Sequence, residues 1–239
     1  MIDKAQQTAA KVAGAMFLLT VAIVVAVNFA INAQLIVVGN PVETVRNILA
    51  HEQLFRLGIA GNLIYATGLM VLASALYVIL RPVNRGLAGL AAAWRFVYAA
   101  MWVLTALNFF STLRLLDGAD YTRVLGGDAT RTLANFYLSG FDQYYVGLLF
   151  YALASTACSW LWLESRYVPR VLAVFGLLGS AWCAICTILL YVFPNFPTIV
   201  NLWWFDTPMV LFEIALGVWL LTKGLQEPSK ARVALADDR

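Results

Sequence analysis

Six long apolar runs organise the chain, at residues 12–31, 57–80, 87–113, 144–163, 171–193 and 202–222, and polar or proline-bearing residues part each from the next. A hydrocarbon core about 30 Å thick is crossed by roughly 20 apolar residues in helical form, so the pattern predicts six transmembrane helices. The first run exceeds the stretch of about 7–15 apolar residues in a signal peptide, and no small-residue cleavage pattern follows it. It is expected to be a retained helix. The fold class is therefore all-α, a polytopic membrane helix bundle spanning residues 1–224, with a polar tail at 225–239.

The connections carry their own signals. In GNPVETVRNILAHEQLFRLG, Asn40 can cap a helix, Pro41 takes its first position and Glu43 stands three residues after the cap. Val45, Ile48, Leu49 and Phe55 recur at helical spacing, which predicts a short amphipathic helix in the outer interface. RPVNRG is a tight turn, because Pro82 lacks a backbone donor and disfavours helix before it. Gly126, Gly127 and Asp128 break the next long connection before ATRTLANFYL, where a second interfacial helix is expected. VFPNFPTIVNLWWFDTP holds three prolines and cannot be one helix; Thr207 and Pro208 are expected as cap and first position of the sixth helix. Trp203, Trp204 and Phe205 read as interface anchors.

Composition agrees with the pattern: 62% of residues are apolar and 12% charged, against about half and a quarter in soluble domains. Basic residues collect on the cytoplasmic side of short loops. With both termini inside, that side holds Lys4, Lys11, Arg81, Arg85, Arg166, Arg170 and Lys223, together with the tail's basic residues. The outer side holds Arg46, Arg56, Arg114, Arg123 and Arg131, diluted by acids. Topology accounts for the net charge of +3, and no nucleic-acid partner is implied. The expected partners are the membrane and a lipid or lipophilic small molecule.

Two ionisable residues fall inside apolar runs, Arg95 in the third and Glu213 in the sixth. An ion near the bilayer centre costs about 3 kcal/mol on insertion scales and is normally paired or turned to a cavity. Arg95 lies ten residues from Arg85 and Glu213 ten from Lys223, which puts both roughly 15 Å from the inner face. They can form an ion pair that clips two helices together. Alternatively they floor a polar pocket that opens outward and is lined by Asn28, Asn62, Tyr65 and Asn108, with Asn32 one turn from Asn28. Gly217, one turn beyond Glu213, leaves room for a partner side chain or a ligand.

These residues favour binding of a small lipophilic or amphipathic ligand, with Arg95, Glu213, Asn28, Asn62, Tyr65 and Asn108 as its site. A second reading is a membrane enzyme acting on an isoprenoid or lipid. There a neutral Glu213, helped by Asp142 or Asp206, would be general acid or base. A small transporter or channel is the third reading, weakened by the lack of an internal repeat. No cofactor or metal is expected. His51 is the lone histidine, and the Cys183–Cys186 pair falls within a helix, where packing explains it. Packing also explains the small-residue stripes Gly176, Ser180, Ala184 and Ala152, Ser155, Ser159.

The blocks HEQLFRLGIAGNLI, RPVNRGLAGLAAAWRF, ESRYVPRVLAVFGLLG and FEIALGVWLLTKG resemble, in the same order, those of the bacterial integral-membrane family termed domain of unknown function 4386. The resemblance spans nearly the whole chain and implies a compact bundle in the bacterial inner membrane, without implying an activity. By that match Glu52, Arg56, Arg95 and Glu213 belong to the family pattern. Similar members often carry a histidine in the fourth span where this chain has Ala154, so a mechanism built on that histidine does not carry over.

Overall fold

A computed structural model describes residues 2–37, 40–118, 126–139, 143–193, 195–201 and 203–227. Asp142 and the tail at 228–239 lie outside the described residues. The described chain is helical: α1 (Lys4–Val25) runs on through a π-helical stretch (Ala26–Asn32) and a last turn (Ala33–Leu35). It is followed by α2 (Pro41–Ala50), α3 (Glu52–Leu80), α4 (Arg85–Asp117), α5 (Gly127–Ser139), α6 (Gln143–Ser165), α7 (Arg170–Val192), α8 (Phe196–Ile199) and α9 (Trp203–Thr222). Six of these segments are long and apolar enough to cross a membrane, as the apolar runs predict, and α2 and α5 are the two short helices expected between spans.

The chain divides into two compact units, and α1, α3, α4 and α6 contribute residues to both. The first comprises residues 1–19, 69–98 and 148–239. Its core is built from Phe17, Leu72, Ile79, Leu161, Trp162 and Leu216, with fully buried alanines such as Ala10, Ala13 and Ala173 among them. Small residues bring backbones together where no hydrophobic effect drives helix association. A Cβ on Gly14 would lie 2.9 Å from the Gly217 carbonyl oxygen, so α1 and α9 cross there nearly backbone to backbone. The room beside Gly217 is taken by Phe17 and Leu18 of α1, each 3.1 Å from where its Cβ would stand.

The sixth span starts one turn earlier than the sequence implies. Helix α9 begins at Trp203, and Pro208 lies inside it rather than at its first position. A proline within a helix leaves the carbonyl four residues before it without a donor, here that of Trp204. The indole Nε1 of Trp182, on α7, donates to that oxygen at 3.4 Å. Gly179 adds the necessary space, since its Cβ would meet Pro208 at 3.4 Å. Re-pairing by a neighbouring helix is what allows proline inside a membrane span.

The start of α1 and the end of α9 are tied to each other in this unit. Gln7 donates from Nε2 to the Leu225 carbonyl at 3.4 Å and accepts the Leu225 N–H at 3.5 Å. Gln6 donates to the Ile79 carbonyl at 3.0 Å, and the Gln226 N–H donates to the Tyr167 carbonyl at 2.8 Å. Gly224, at φ +66°, ends α9 in the left-handed conformation that spares a side chain. At the turn between α3 and α4, the Asn84 Oδ1 accepts the Leu87 N–H at 3.0 Å and caps α4.

The second unit comprises residues 20–68 and 99–147. Asn40 caps α2 as its sequence predicts, accepting the Glu43 N–H at 3.1 Å. Its inward face supplies Ile48 to a core that includes Leu35, Phe55, Phe109, Leu113 and Leu138. Phe55 and Phe109 stack with ring centres 5.3 Å apart. Arg56 pairs with Glu52 one turn before it and with Asp117 at 3.4 Å, all three exposed. A row of glycines on α3 faces α1: a Cβ would meet Ile31 at 3.2 Å from Gly58, Val27 at 2.5 Å from Gly61 and Thr20 at 2.8 Å from Gly68. Numbers rise along α3 as they fall along α1, so the two segments run antiparallel in close contact.

Candidate functional site

Arg95 and Glu213 meet in the first unit. Nη1 and Nη2 of Arg95 each stand 3.4 Å from one carboxylate oxygen, Oε1 of Glu213. The two residues are only 1% and 5% exposed, so neither charge is solvated by water, and each depends on the other and on fixed dipoles. Nη2 also donates to the Ser155 hydroxyl at 3.0 Å. The guanidinium carbon lies 5.7 Å from the centre of the Phe17 ring and 5.4 Å from that of Tyr151, with the Cys158 thiol beside it. Aromatic faces attract a cation most strongly when water is excluded. The Tyr151 side chain hydrogen-bonds to the Glu213 carboxyl and packs on Tyr98 with ring centres 4.9 Å apart.

This cluster joins α1, α4, α6 and α9 through one charge pair. The groups aimed at Glu213 donate to it, so the carboxyl serves as an acceptor in this arrangement. Ser155, which its small-residue stripe assigns to packing, is instead a ligand of the guanidinium. Tyr151, Ser155 and Cys158 follow one another at helical spacing along α6 and present a face of polar and aromatic groups to Arg95. That spacing is visible in the sequence but does not by itself separate packing from hydrogen bonding. Ser180 is also paired, accepting a 2.9 Å hydrogen bond from the Thr156 hydroxyl, while Gly176 packs against Phe212 and Ser159.

A second polar set lies in the other unit. Asn28 and Asn32 sit in the π-helical stretch, where Nδ2 of Asn32 donates to Oδ1 of Asn28 at 3.2 Å. Such stretches are rare and concentrate at functional positions. Gly58 faces Asn32 and Gly61 faces Val27, so Asn62, next to Gly61, lies near the level of Val27 and one turn from that of Asn32. Asn62 is 1% exposed and Asn32 8%. The Nδ2 of Asn62 and the Oδ1 of Asn32 have no hydrogen-bond partner among the described residues. Tyr65, one turn beyond Asn62, meets Trp102 edge-on with ring centres 4.7 Å apart. Asn108 is half-buried on α4, and its carbonyl accepts the Thr112 hydroxyl.

The residues expected to form one pocket are thus divided: Arg95 and Glu213 belong to one unit, and Asn28, Asn62, Tyr65 and Asn108 to the other. Asp206 stands in the first turn of α9 and is half-buried. The three cysteines are free and buried. Among the described residues no group of three or more histidine, cysteine, aspartate or glutamate side chains is placed to hold a metal ion.

A family model described as Domain of unknown function (DUF4386) matches residues 12–224. No curated protein and no solved structure matches the chain.

Proposed function

The chain belongs to the DUF4386 family, and on that premise we propose that it is a membrane-embedded binding protein for a small amphipathic or lipophilic molecule. The polar end of the site is the asparagine layer of the second unit, formed by Asn28, Asn32 and Asn62 with Tyr65 and Asn108. The observation that carries this reading is the buried Asn62 amide, whose Nδ2 has no hydrogen-bond partner among the described residues. A buried donor left unpaired costs about 1–3 kcal/mol, and a polar atom of a bound molecule removes that cost.

Arg95 and Glu213 act in this reading as a clip that fixes the helices of the first unit. Acid–base catalysis by Glu213 is disfavoured, because Arg95 and Tyr151 already engage its carboxyl. We place the protein in the inner membrane of a bacterium with its termini in the cytoplasm. The excess of Lys and Arg in the connections on that side supports this orientation.

Native mass spectrometry of the protein released from detergent micelles tests the binding reading. Wild type should retain a small molecule as a mass adduct, and Asn62→Leu should lose most of it. No adduct on wild type, or the same adduct at the same occupancy on both, would remove the reading.

A further inference from the structure

We infer that the ligand presents an uncharged headgroup that both accepts and donates a hydrogen bond, of the kind found in a long-chain alcohol, and that this headgroup sits between Asn62 and Asn32; this rests on the binding reading above. Asn32 spends its Nδ2 on Asn28, which turns its Oδ1 outward from that pair as an acceptor. Asn62 offers the complementary donor, Nδ2. A hydroxyl satisfies both at once, accepting from Asn62 and donating to Asn32. A bare hydrocarbon satisfies neither.

The described surroundings disfavour a charge. The buried polar residues described in this unit are asparagines and threonines, with the Tyr65 phenol and the Trp102 indole beside them, and none carries a charge at neutral pH. Thr105 and Thr112 already donate to the carbonyls of Met101 and Asn108 on their own helix. The charged groups Glu52, Arg56 and Asp117 are exposed and paired with one another. Among the described residues, a phosphate or carboxylate between the two amides would have no buried counter-ion, and a buried unpaired ion is far more costly than a buried hydroxyl.

The π-helical stretch gives the headgroup its place. Its wider turn carries Asn28 and Asn32 against the glycine row of α3, where small residues let the two backbones approach: the Asn32 Oδ1 would stand 3.7 Å from a Cβ on Gly58, one turn of α3 before Asn62. On the same face Tyr65 and Trp102 supply an apolar wall for the first part of a chain.

The test uses the full chain in lipid nanodiscs with three twelve-carbon probes, 1-dodecanol, dodecane and dodecyl phosphate, at equal mole fraction in the lipid. Binding is followed by tryptophan fluorescence and by the shift in thermal unfolding. Dodecanol should bind about tenfold more tightly than dodecane, the range expected for one or two net hydrogen bonds, and dodecyl phosphate no more tightly than dodecane. Asn62→Leu should erase the advantage of dodecanol over dodecane. Equal binding of dodecanol and dodecane by the wild type overturns the headgroup assignment while leaving a lipophilic site standing, and so does tightest binding of the phosphate. If none of the probes binds, with the two amides bridged by water only, both the headgroup and the intramembrane site are overturned. The wild-type comparison decides the matter even if Asn62→Leu fails to fold.

Discussion

Arg95 sets two guanidinium nitrogens against a single oxygen of Glu213, both at 3.4 Å. The second carboxylate oxygen is thereby left to other donors, and Nη2 is shared with Ser155. Such a pair stabilises little in itself, because the cost of removing two ions from water offsets most of their attraction. Its effect is felt when one partner is lost.

Arg95→Leu and Glu213→Leu should each destabilise the protein by about 3–5 kcal/mol, since each strands a buried charge. The double substitution should recover much of that loss, because no charge remains to be stranded. Unfolding in mixed micelles with increasing denaturing detergent measures all three. A double variant as unstable as the sum of the singles would mean that the surrounding hydrogen bonds, rather than the charge pair, hold these helices.

Trp182 and Pro208 should be energetically coupled through the Trp204 carbonyl. In the wild type, Trp182→Phe removes the indole donor and should cost about 0.5–1.5 kcal/mol, a typical net hydrogen bond. In a Pro208→Ala background residue 208 regains its backbone N–H and can pair with that carbonyl, so the same change should cost less. A double-mutant cycle on unfolding free energy reads the difference; strictly additive effects would show that the indole does not replace the missing bond.

Gly14 and Gly89 should respond oppositely to the same added methyl group. At Gly14 the new Cβ would meet the Gly217 carbonyl oxygen at 2.9 Å and the Leu221 nitrogen at 3.0 Å, both backbone atoms. Gly14→Ala should therefore push α1 from α9 and cost about 1–3 kcal/mol. At Gly89 the nearest atom would be a Tyr77 ring carbon at 4.0 Å, and Gly89→Ala should be neutral or stabilise by up to about 1 kcal/mol through helix propensity. Thermal unfolding midpoints of the two variants provide the comparison.

The spans were legible because a bilayer demands length and apolarity, both written directly in the residues. The Arg95 and Glu213 pairing was legible for a related reason: ions are rare in apolar runs, and a fixed rise per residue turns sequence position into depth. Ser155 was not, because a serine in a stripe of small residues looks the same whether it packs or accepts a hydrogen bond. The start of α9 departs from the local rule that puts proline at a helix start, because Pro208 lies inside the helix and an indole from another span pairs the carbonyl it leaves free. The π-helical stretch was hidden as well, since a wider turn changes the backbone without changing composition. The division of the polar residues between two units depended on long-range packing, which no local pattern encodes.

The Gln7 and Leu225 contact fixes something that no single helix could. A chain that leaves one side of a bilayer and crosses it an even number of times must return to that side, and the two hydrogen bonds between these residues hold its two ends to that condition. Reporter enzymes fused at either end would therefore share one compartment. Removing any one span would set the ends on opposite sides and pull this contact apart.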